Sequence, residues 1–302
     1  LLSNATDVDG DALNIENGGV TVNDGRVLDC SIDQQTGALV LDPSQFNDLA
    51  VGESVTINID YAVSDGMVSV GATAVVTIEG RNDAPAAVAD IAIVTEDGPI
   101  NQVTGNVLDN DTDVDGDTLQ VVSVNGQAVL TGQQIIGTYG SLLLNSDGSY
   151  EYQLDNASSA VQSLAEGQVG VESFTYSISD GHDGVSQSTL DISVQGTNDA
   201  PVVGDVDFGS IDEDTSRIFT AQDLMTNSSD IDADLLNITS VSVDPQFGVI
   251  TNNGDGSWTF VPAANFHGDN VEISFVVSDG EHEDSGIATI DILSVNDAPI
   301  AE

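Results

Sequence analysis

The stretch FTYSISDGHDGVSQSTLDISVQGTNDAP, residues 174–201, holds in one run the signals that decide the fold. Apolar and polar side chains alternate over 174–179 and again over 188–195, which is the period of a β-strand with one buried face. The Ser-Asp-Gly sequence between them is a turn signal. Asn-Asp-Ala-Pro at 198–201 closes the unit, because proline has no backbone N–H and is harmless at the start of a strand. We therefore predict two strands joined by a tight turn and followed by a domain boundary.

Three landmarks recur along the chain in one order: an aspartate cluster, a Ser-Asp-Gly turn and Asn-Asp-Ala-Pro. The clusters are ATDVDGD at 5–11, DTDVDGD at 111–117 and SSDIDAD at 228–234; the turns lie at 64–66, 179–181 and 278–280; Asn-Asp-Ala-Pro lies at 82–85, 198–201 and 296–299. The spacing of the Asn-Asp-Ala-Pro copies matches whole β-sandwich domains and exceeds solenoid repeats. We predict domains at 1–84, 85–200 and 201–302, the first without its opening strand or two.

Hairpin signals fill the rest of each repeat. Two alternating runs flank a Thr-Gly or Asp-Gly pair in CSIDQQTGALVLDP (30–43), LLLNSDGSYEYQL (142–154) and GVITNNGDGSWTFVP (248–262), and glycine tolerates the positive φ of such turns. Leu39, Tyr150 and Trp258 fall at one position, so we predict that Trp258 is a core residue. An insert at 156–168 has helical spacing and predicts a short helix. The fold class is thus all-β, with tandem immunoglobulin-like Greek-key sandwiches of about seven strands in an extended string.

The composition favours cations as partners. Among 302 residues there are 51 Asp plus Glu and three basic residues, all arginine, so the formal net charge is −48. Nucleic-acid binding rests on Lys and Arg and is therefore excluded, and anionic membrane surfaces are disfavoured. The 40% of hydrophobic residues recur in short alternating runs, which favours a folded chain over disorder.

Cysteine use and the apolar runs add two expectations. Cys30 is the only cysteine, so the chain has no internal disulfide, and its alternation with Leu28 and Ile32 predicts a buried structural thiol. No apolar run approaches the roughly 18 residues of a membrane span. The opening LLSNATDVDG is typical of the middle of a repeat, so we expect a fragment without membrane insertion.

The aspartate clusters predict calcium sites. Aspartates spaced i, i+2 and i+4 in a loop can turn their oxygens toward one point, and Ca²⁺ takes six to eight oxygens, whereas Zn²⁺ prefers the Cys and His that are scarce here. An EF-hand loop counted from Asp111 has the required Gly116 at its sixth position but Val122 at its twelfth, where glutamate is needed. The remaining ligands must therefore come from elsewhere in the fold.

Sandwich topology indicates where those ligands lie. The clusters fall between the second and third strands and the Ser-Asp-Gly turns between the last two, so both lie at the end where the chain enters a domain. The Asn-Asp-Ala-Pro linker arrives at that same end. Glu96 and Glu213, in TEDG and DEDT after the first strand, lie at the exit end and face the next junction.

Two long runs resemble known bacterial repeats. GTYGSLLLNSDGSYEYQLDNASSAVQSLAEGQ (137–168), followed by FTYSISDG and TNDAP, resembles the VCBS-type repeat of large bacterial adhesins, and FVPAANFHGDNVEISFVVSDG (260–280) resembles the bacterial cadherin-like repeat. The resemblance covers essentially the whole chain. It implies tandem cadherin-like sandwiches of RTX-type adhesins secreted by a type I system, on the bacterial surface, with roles in cell adhesion and biofilm. It also implies Ca²⁺ at the junctions, where it stiffens the string of neighbouring repeats.

The resemblance to cadherin repeats further implies a ligand set. At the first junction it gives Asn82, Asp83, Asp113, Asp115 and Asp180; at the second it gives Glu96, Asn198, Asp199, Asp230, Asp232 and Asp279. Asp7, Asp9 and Asp65 would face an upstream domain, and Glu213, Asn296 and Asp297 a downstream one. Asp11, Asp117 and Asp234 are either ligands or turn residues. Animal cadherin linkers read D-x-N-D-N-A-P, and this chain has Gly80, Gly196 and Ser294 at the first position, which predicts fewer ions per junction.

Three other functions compete with this one. A module that binds sugar or peptide, or a homophilic surface, would use exposed aromatic residues such as Trp258 and the tyrosines. A glycosidase needs two carboxylates about 5 to 10 Å apart, but an active site is normally unique and these clusters recur. His182 and His282 follow the Ser-Asp-Gly turns, so exposed turns are a better interpretation than catalysis. A saline habitat explains the total charge but not its placement.

Overall fold

The computed structural model describes residues 1–129, 133–296 and 298, and these residues form three consecutive β-rich units. The first has β1 (Asn14–Val22), β2 (Cys30–Ile32), β3 (Leu39–Leu41), β4 (Ser54–Ser64) and β5 (Ser69–Glu79), with a 3-10 turn at Pro43–Phe46. β4 lies between β1 and β5 in an antiparallel sheet, and β2 pairs with β3 in a separate hairpin.

The second unit is a complete two-sheet sandwich. It has β6 (Asp90–Thr95), β7 (Gln102–Asn106), β8 (Gln120–Val124), β9 (Gln127–Ala128), β10 (Gln134–Ile136), β11 (Gly140–Leu144), β12 (Ser149–Leu154), α1 (Ser159–Gln162), β13 (Val169–Ser179) and β14 (Val185–Gln195). One sheet has the order β6-β14-β13-β8-β9 and the other β10-β11-β12-β7. β6 runs parallel to β14, so the chain enters and leaves the domain at opposite ends.

The third unit repeats this plan with seven strands. It has β15 (Val206–Asp212), β16 (Arg217–Thr220), α2 (Ala221–Leu224), β17 (Asn237–Val243), β18 (Gly248–Asn252), β19 (Ser257–Pro262), β20 (Gly268–Ser278) and β21 (Glu283–Leu293). The sheets have the orders β15-β21-β20-β17 and β16-β19-β18, with β15 parallel to β21. The all-β prediction is therefore confirmed, whereas the exact domain limits stay predictions.

Each unit has its own hydrophobic core between its sheets. Tyr152 and Tyr176 lie at the centre of the second core, and Phe219 and Phe260 at that of the third. Trp258 is buried and stacks on Phe219 at 6.2 Å between ring centroids, so its prediction as a core residue is confirmed. Every aromatic side chain of the chain falls in the described segments, and none of them is exposed.

The predictions of a short helix at 156–168 and of a buried Cys30 have different outcomes. The predicted helix is present as the single turn α1, with Ser158 accepting the Ala160 N–H and Val161 buried in the core. The predicted burial of Cys30 is only partly right, because its side chain is half-buried. Its hairpin covers the first core from one side only, and the half-buried Leu28 and Ile32 show the same incomplete cover.

Candidate metal centres at the domain junctions

The three aspartate clusters share one loop geometry. Oδ1 of the aspartate at the third position of each cluster accepts the backbone N–H groups two and four residues later. The distances are 2.8 and 3.1 Å for Asp7 with Asp9 and Asp11, 2.9 and 3.4 Å for Asp113 with Asp115 and Asp117, and 2.9 and 3.2 Å for Asp230 with Asp232 and Asp234. The residue before the last aspartate has a positive φ, which suits glycine at 10 and 116 and is strained at Ala233.

Several carboxylate oxygens at the two internal junctions are buried and accept no hydrogen bond. They are Asp111 Oδ2, Asp113 Oδ2 and Asp115 Oδ1 in the cluster at the first junction, and Asp199 Oδ2, Asp230 Oδ2 and Asp232 Oδ1 at the second. A buried anionic oxygen without a donor is costly unless a cation compensates it. Ligand oxygens of 113, 115 and 117 lie within 4.8 Å of one another, as do those of 230, 232 and 234. These orphaned oxygens fit a hard cation.

The linker binds the following domain in the same way at both junctions. Asn82 Nδ2 donates to Asp180 Oδ2 at 2.7 Å, and the Asp83 N–H donates to Asp115 Oδ2 at 2.8 Å. The corresponding distances are 3.0 Å for Asn198 with Asp279 and 2.8 Å for Asp199 with Asp232. The structure thus brings the three sequence landmarks together at each junction.

The two junctions differ in how far they enclose the linker aspartate. Asp83 is exposed, whereas Asp199 is half-buried. Burial raises the pKa of Asp199, and the nearby charges of Asp232, Asp97 and Asp230 raise it further. The second junction therefore encloses its linker aspartate more fully than the first.

The turn aspartates Asp180 and Asp279 orient the linker. Asp180 Oδ1 accepts the N–H groups of His182 and Gly184, while Oδ2 accepts Asn82. Burial opposes the charge on Asp180, but these hydrogen bonds outweigh it and lower the pKa of the carboxyl. Asp279 repeats the pattern with Glu281, His282 and Asn198 as donors. Neither aspartate has an orphaned oxygen, because protein N–H groups donate hydrogen bonds to both oxygens of each carboxylate.

Glu96 connects the second domain to its exit linker. Its side chain is wholly buried, Oε1 accepts Gln162 Nε2 at 2.9 Å, and Oε2 accepts the Thr197 N–H at 3.3 Å. Burial raises its pKa to about 7, and the charges of Asp199, Asp97 and Asp232 add to the shift. A carboxyl with a pKa this far above its ordinary value lies where a negative charge is unfavourable unless a nearby cation balances it.

Glu213 holds the same position one domain later. It is buried, and its Oε1 accepts the Val295 N–H at 2.8 Å. His267 Nδ1 lies 4.0 Å from Oε2, on the side where Gln162 meets Glu96 in the second domain. Asn296 lies in the exposed linker beyond Val295, and the predicted ligand Asp297 lies outside the described residues.

The predicted ligands of the first domain stand apart from these junctions. Asp7 and Asp65 border a groove at the entrance end of that domain, and Asp9 is exposed. Asp65 Oδ1 accepts the N–H groups of Met67 and Val68, both at 2.7 Å. No described residue of a preceding linker completes this set.

Packing explains the glycines that replace the first aspartate of the animal cadherin linker. A Cβ on Gly196 would lie 1.8 Å from Leu164 O, and a Cβ on Gly80 would lie 2.3 Å from the carbonyl oxygens of Leu49 and Ala50. The preceding domain therefore occupies the space that an aspartate side chain would need at each of these positions.

Four polar side chains near the junctions are absent from the ligand set predicted from the sequence. Gln162 donates to Glu96, and Asp97 contributes to the charge around Asp199. His182 Nδ1 lies 3.1 Å from Asp117 Oδ2, and His282 Nδ1 lies 2.8 Å from Asn198 Nδ2. Both histidines are exposed, as predicted. The helical spacing at 156–168 predicts α1 but does not show that its last residue, Gln162, reaches Glu96 in the turn after β6.

Residues 82–196 match the family model of the bacterial cadherin-like domain, and residues 197–293 match that of the cadherin-like domain. Residues 82–293 form two cadherin-like domains in tandem. A calcium-binding lectin, RapA2 of Rhizobium johnstonii, is 27% identical over 221 residues, which cover 63% of this chain and 89% of the lectin.

Some solved structures are similar to this chain at low sequence identity. Mouse cadherin-23 repeats EC22–24 have a TM-score of 0.47 and 15% identity, covering 97% of this chain and 89% of theirs. An endo-fucoidan hydrolase of glycoside hydrolase family 107 has a TM-score of 0.26 and 17% identity, covering 92% of this chain. The cadherin-like chain spans only 39% of that hydrolase. Among the described residues, no helix has the length and hydropathy to cross a membrane.

Proposed function

We propose that this chain is a calcium-rigidified structural extender of a secreted bacterial adhesin, located outside the cell and without enzymatic activity. The observation that carries the proposal is the set of buried, orphaned carboxylate oxygens at both internal junctions. At the second junction Asp199 comes from the linker, and Asp230 and Asp232 come from the following domain. Glu96, from the preceding domain, lies close enough for the charges of Asp199 and Asp232 to raise its pKa. A Ca²⁺ ion there is shared by two domains and the segment between them.

The shared ion changes the mechanics of the junction. Without Ca²⁺ the carboxylates repel one another over a Debye length of about 8 Å at physiological salt. With Ca²⁺ the oxygens on both sides of the linker converge on one cation, which fixes the angle between the domains. Binding to the folded form alone also stabilises it by about 2.7 kcal/mol when free Ca²⁺ is a hundredfold above Kd.

Small-angle scattering and thermal melting, each with calcium and with chelator, test this function. We expect calcium to increase the maximum dimension, narrow the distribution of shapes and raise Tm. The matched control is Mg²⁺ at equal concentration, which dehydrates reluctantly and favours fewer protein ligands. An unchanged maximum dimension together with an unchanged Tm would sink the proposal.

The alternative function is a carbohydrate- or peptide-binding module, or a homophilic contact, in the same kind of surface protein. The name of the relative RapA2, a calcium-binding lectin, favours it. The lack of an exposed aromatic side chain in the described segments, which contain all of them, disfavours it, because sugar sites commonly stack on exposed aromatic rings. Calcium-dependent retention of the chain on a glycan array, abolished by chelator, would favour the alternative.

A further inference from the structure

The first strand of the second domain, β6, is a regular and exposed sheet edge. Its six residues pair with β14 in continuous register, and no strand among the described residues pairs with its other side. The Glu96 N–H donates to Gln195 O. Because backbone groups alternate in direction along a strand, those of Ile91 and Ile93 point away from β14. This edge therefore presents unpaired N–H and C=O groups, on which another strand can add.

An apolar groove lies along this edge, between β6 and β7. It has a volume of about 320 Å³, and its lining includes Ile93, Pro99, Ile100 and Val103. Ile93 and Ile100 are 57% and 69% exposed, and Ile91, on the outer face of the sheet, is 73% exposed. We call the outer side of β6 and this groove together the β6 edge site. Natural sheets normally avoid such exposed apolar side chains beside an unpaired edge.

The third domain protects the matching edge strand, β15. The pairing of β15 with β21 is interrupted between Asp207 and Ser210, where Gly209 has a φ of 69°. Such a bulge disrupts the regular edge that a further strand would need. The strand register also places the exposed Asp207 and Ser210 where Ile91 and Ile93 lie in the second domain. The open edge is thus specific to the second domain of this pair.

An arginine fills the corresponding groove in the third domain. Arg217 Nη1 donates to Phe208 O at 2.7 Å, and its guanidinium lies 4.8 Å from the centroid of the Phe208 ring. The strand register places Val103 where Arg217 lies and Ala92 where Phe208 lies. The second domain therefore has two smaller side chains here, which leaves the groove open. Within this chain, a cationic side chain that also packs on apolar surface is what satisfies such an edge.

The charges around the β6 edge site define the partner that fits it. Asp90 and Asp97 flank the strand at its two ends, Asp191 lies on the neighbouring strand, and residues 82–216 contain no lysine or arginine. We propose that the β6 edge site binds an extended segment of a partner protein by strand addition. The segment has apolar residues at its centre and Lys or Arg at its ends, which complements the carboxylates. This interaction goes beyond the proposed extender function and does not depend on calcium.

A second copy of this chain fits the site less well than a basic segment. Two copies of β6 related by a two-fold axis would pair antiparallel, which brings Asp90 of each copy toward Asp97 of the other. Like charges that face one another across a strand pair are destabilising, and each chain carries a net charge of −48. Basic residues at the ends of the added strand turn this repulsion into attraction.

Hydrogen exchange of the full chain, measured by NMR, tests the proposal with the end-blocked peptide Arg-Val-Thr-Val-Thr-Val-Arg. At saturation we expect the amides of Ile91 and Ile93 to exchange at least about tenfold more slowly, with calcium and with chelator. The amide of Ser210, on the protected edge, is the internal control and stays unchanged.

Two control peptides separate the charges of the peptide from its backbone. One has Glu at both ends, and the other has two consecutive prolines at its centre, which remove an N–H donor from both of its edges. We expect neither to slow exchange. Unchanged exchange of Ile91 and Ile93 up to about millimolar peptide, or equal protection by the proline peptide, overturns the proposal. Protection that increases with protein concentration alone overturns it too, because the occupant is then a second copy.

A pair of charge-matched variants locates the binding at the edge. Ile93 and Val171 are both 57% exposed, and both pair with Ser193, but Val171 lies on the interior strand β13. We expect Ile93→Lys to weaken binding of the basic peptide at least about tenfold and Val171→Lys to have a much smaller effect. An equal loss in the two variants would mean general charge attraction and contradicts the site. The extender function is read separately, from the calcium-induced rise in Tm, which both variants retain.

Discussion

Asp230 uses its two carboxylate oxygens for different purposes. Oδ1 accepts the N–H groups of Asp232 and Asp234 and shapes the loop, while Oδ2 is buried and accepts no hydrogen bond. Asp113 repeats this division at the first junction. A single residue thus both holds the loop through one oxygen and leaves the other oxygen available to a cation.

Replacing Asp232 by Asn distinguishes two effects on Tm: the repulsion between carboxylates at the second junction and the binding of an ion there. In chelator we expect Asp232→Asn to raise Tm, because Asp232 is among the charges that raise the pKa values of both Asp199 and Glu96. In calcium we expect a smaller rise in Tm than in wild type and an affinity at least about tenfold lower, or about 1.4 kcal/mol. Asp60→Asn, on an exposed position of β4, removes the same charge and is the control. Equal calcium titrations for the two variants would contradict this assignment.

The raised pKa of Glu96 predicts that, without calcium, the protein becomes less stable as pH rises. Its pKa is raised from 4.5 to about 7 in the folded state, so between these values the folded state binds more protons than the unfolded state. The free energy of unfolding therefore falls as pH rises through this range, by at most about 3 kcal/mol, and levels off above pH 7.

Urea denaturation in chelator at several pH values measures this effect. We expect Glu96→Gln to flatten the decline, and Glu151→Gln, which removes an exposed charge from the same domain, to leave it unchanged. In calcium the sign reverses, since protons compete with the ion, and stability increases with pH. A wild-type curve in chelator that rises between pH 5 and 7 would falsify the role of Glu96.

At the scale of elements, each linker is an extended segment held by hydrogen bonds at both ends. The Gly80 N–H donates to Glu53 O at 2.9 Å, and the Gly196 N–H donates to Gln168 O at 3.0 Å. Two residues further along, Asn82 and Asn198 donate to the next domain. Only a few residues lie between the two anchors, so the domains are already positioned for a cation to complete the junction.

Gly196→Ala tests how closely α1 and the linker pack. The new Cβ would lie 1.8 Å from Leu164 O, so the linker or the turn after α1 must move. We expect the second domain to lose about 1 to 3 kcal/mol, as overpacked sites do, and the affinity for calcium to fall at the second junction. Gly71→Ala, on β5 with open space around its Cβ, is the matched control for calorimetry. Equal melting temperatures for the two variants would show that the linker tolerates a side chain.

At the scale of the whole molecule, positive charge is nearly absent and its placement is uneven. Arg26 is held by Asp24 and Asp48, and Arg217 is half-buried and donates to Phe208 O. Arg81 is exposed in the first linker. The chain contains no lysine, so a protease that cuts after Lys or Arg has one accessible site, and that site reports on a junction.

Limited trypsin digestion therefore measures the mobility of the first junction. In chelator we expect cleavage after Arg81, which separates residues 1–81 from 82–302. In calcium we expect cleavage at least about tenfold slower, because local opening must first break the ion contacts. Arg81→Gln removes the site and is the control for other cuts. Equal rates in calcium and chelator would mean that the ion does not restrain this linker.

The sequence alone determined the strands, the repeats and the three landmarks, because alternation, turn residues and repetition are local properties of the chain. The hairpins around Gly37, Gly148 and Gly256 follow directly from such signals, and all three glycines have positive φ. The convergence of the landmarks at the junctions also followed, since the order of strands in a sandwich sets which loops share an end.

Only the tertiary structure decided which atoms are available to an ion. Both oxygens of Asp279 accept hydrogen bonds, one of them from a linker asparagine 81 residues away in sequence, whereas Asp230 Oδ2 accepts none. Contacts between such distant residues leave no periodic signal. The same holds for Gln162 at Glu96 and for the carbonyl that requires glycine at 196. Burial and close approach arise from packing between distant segments, and for that reason DTDVDGD indicates a cation site but does not name the oxygens that would bind the ion.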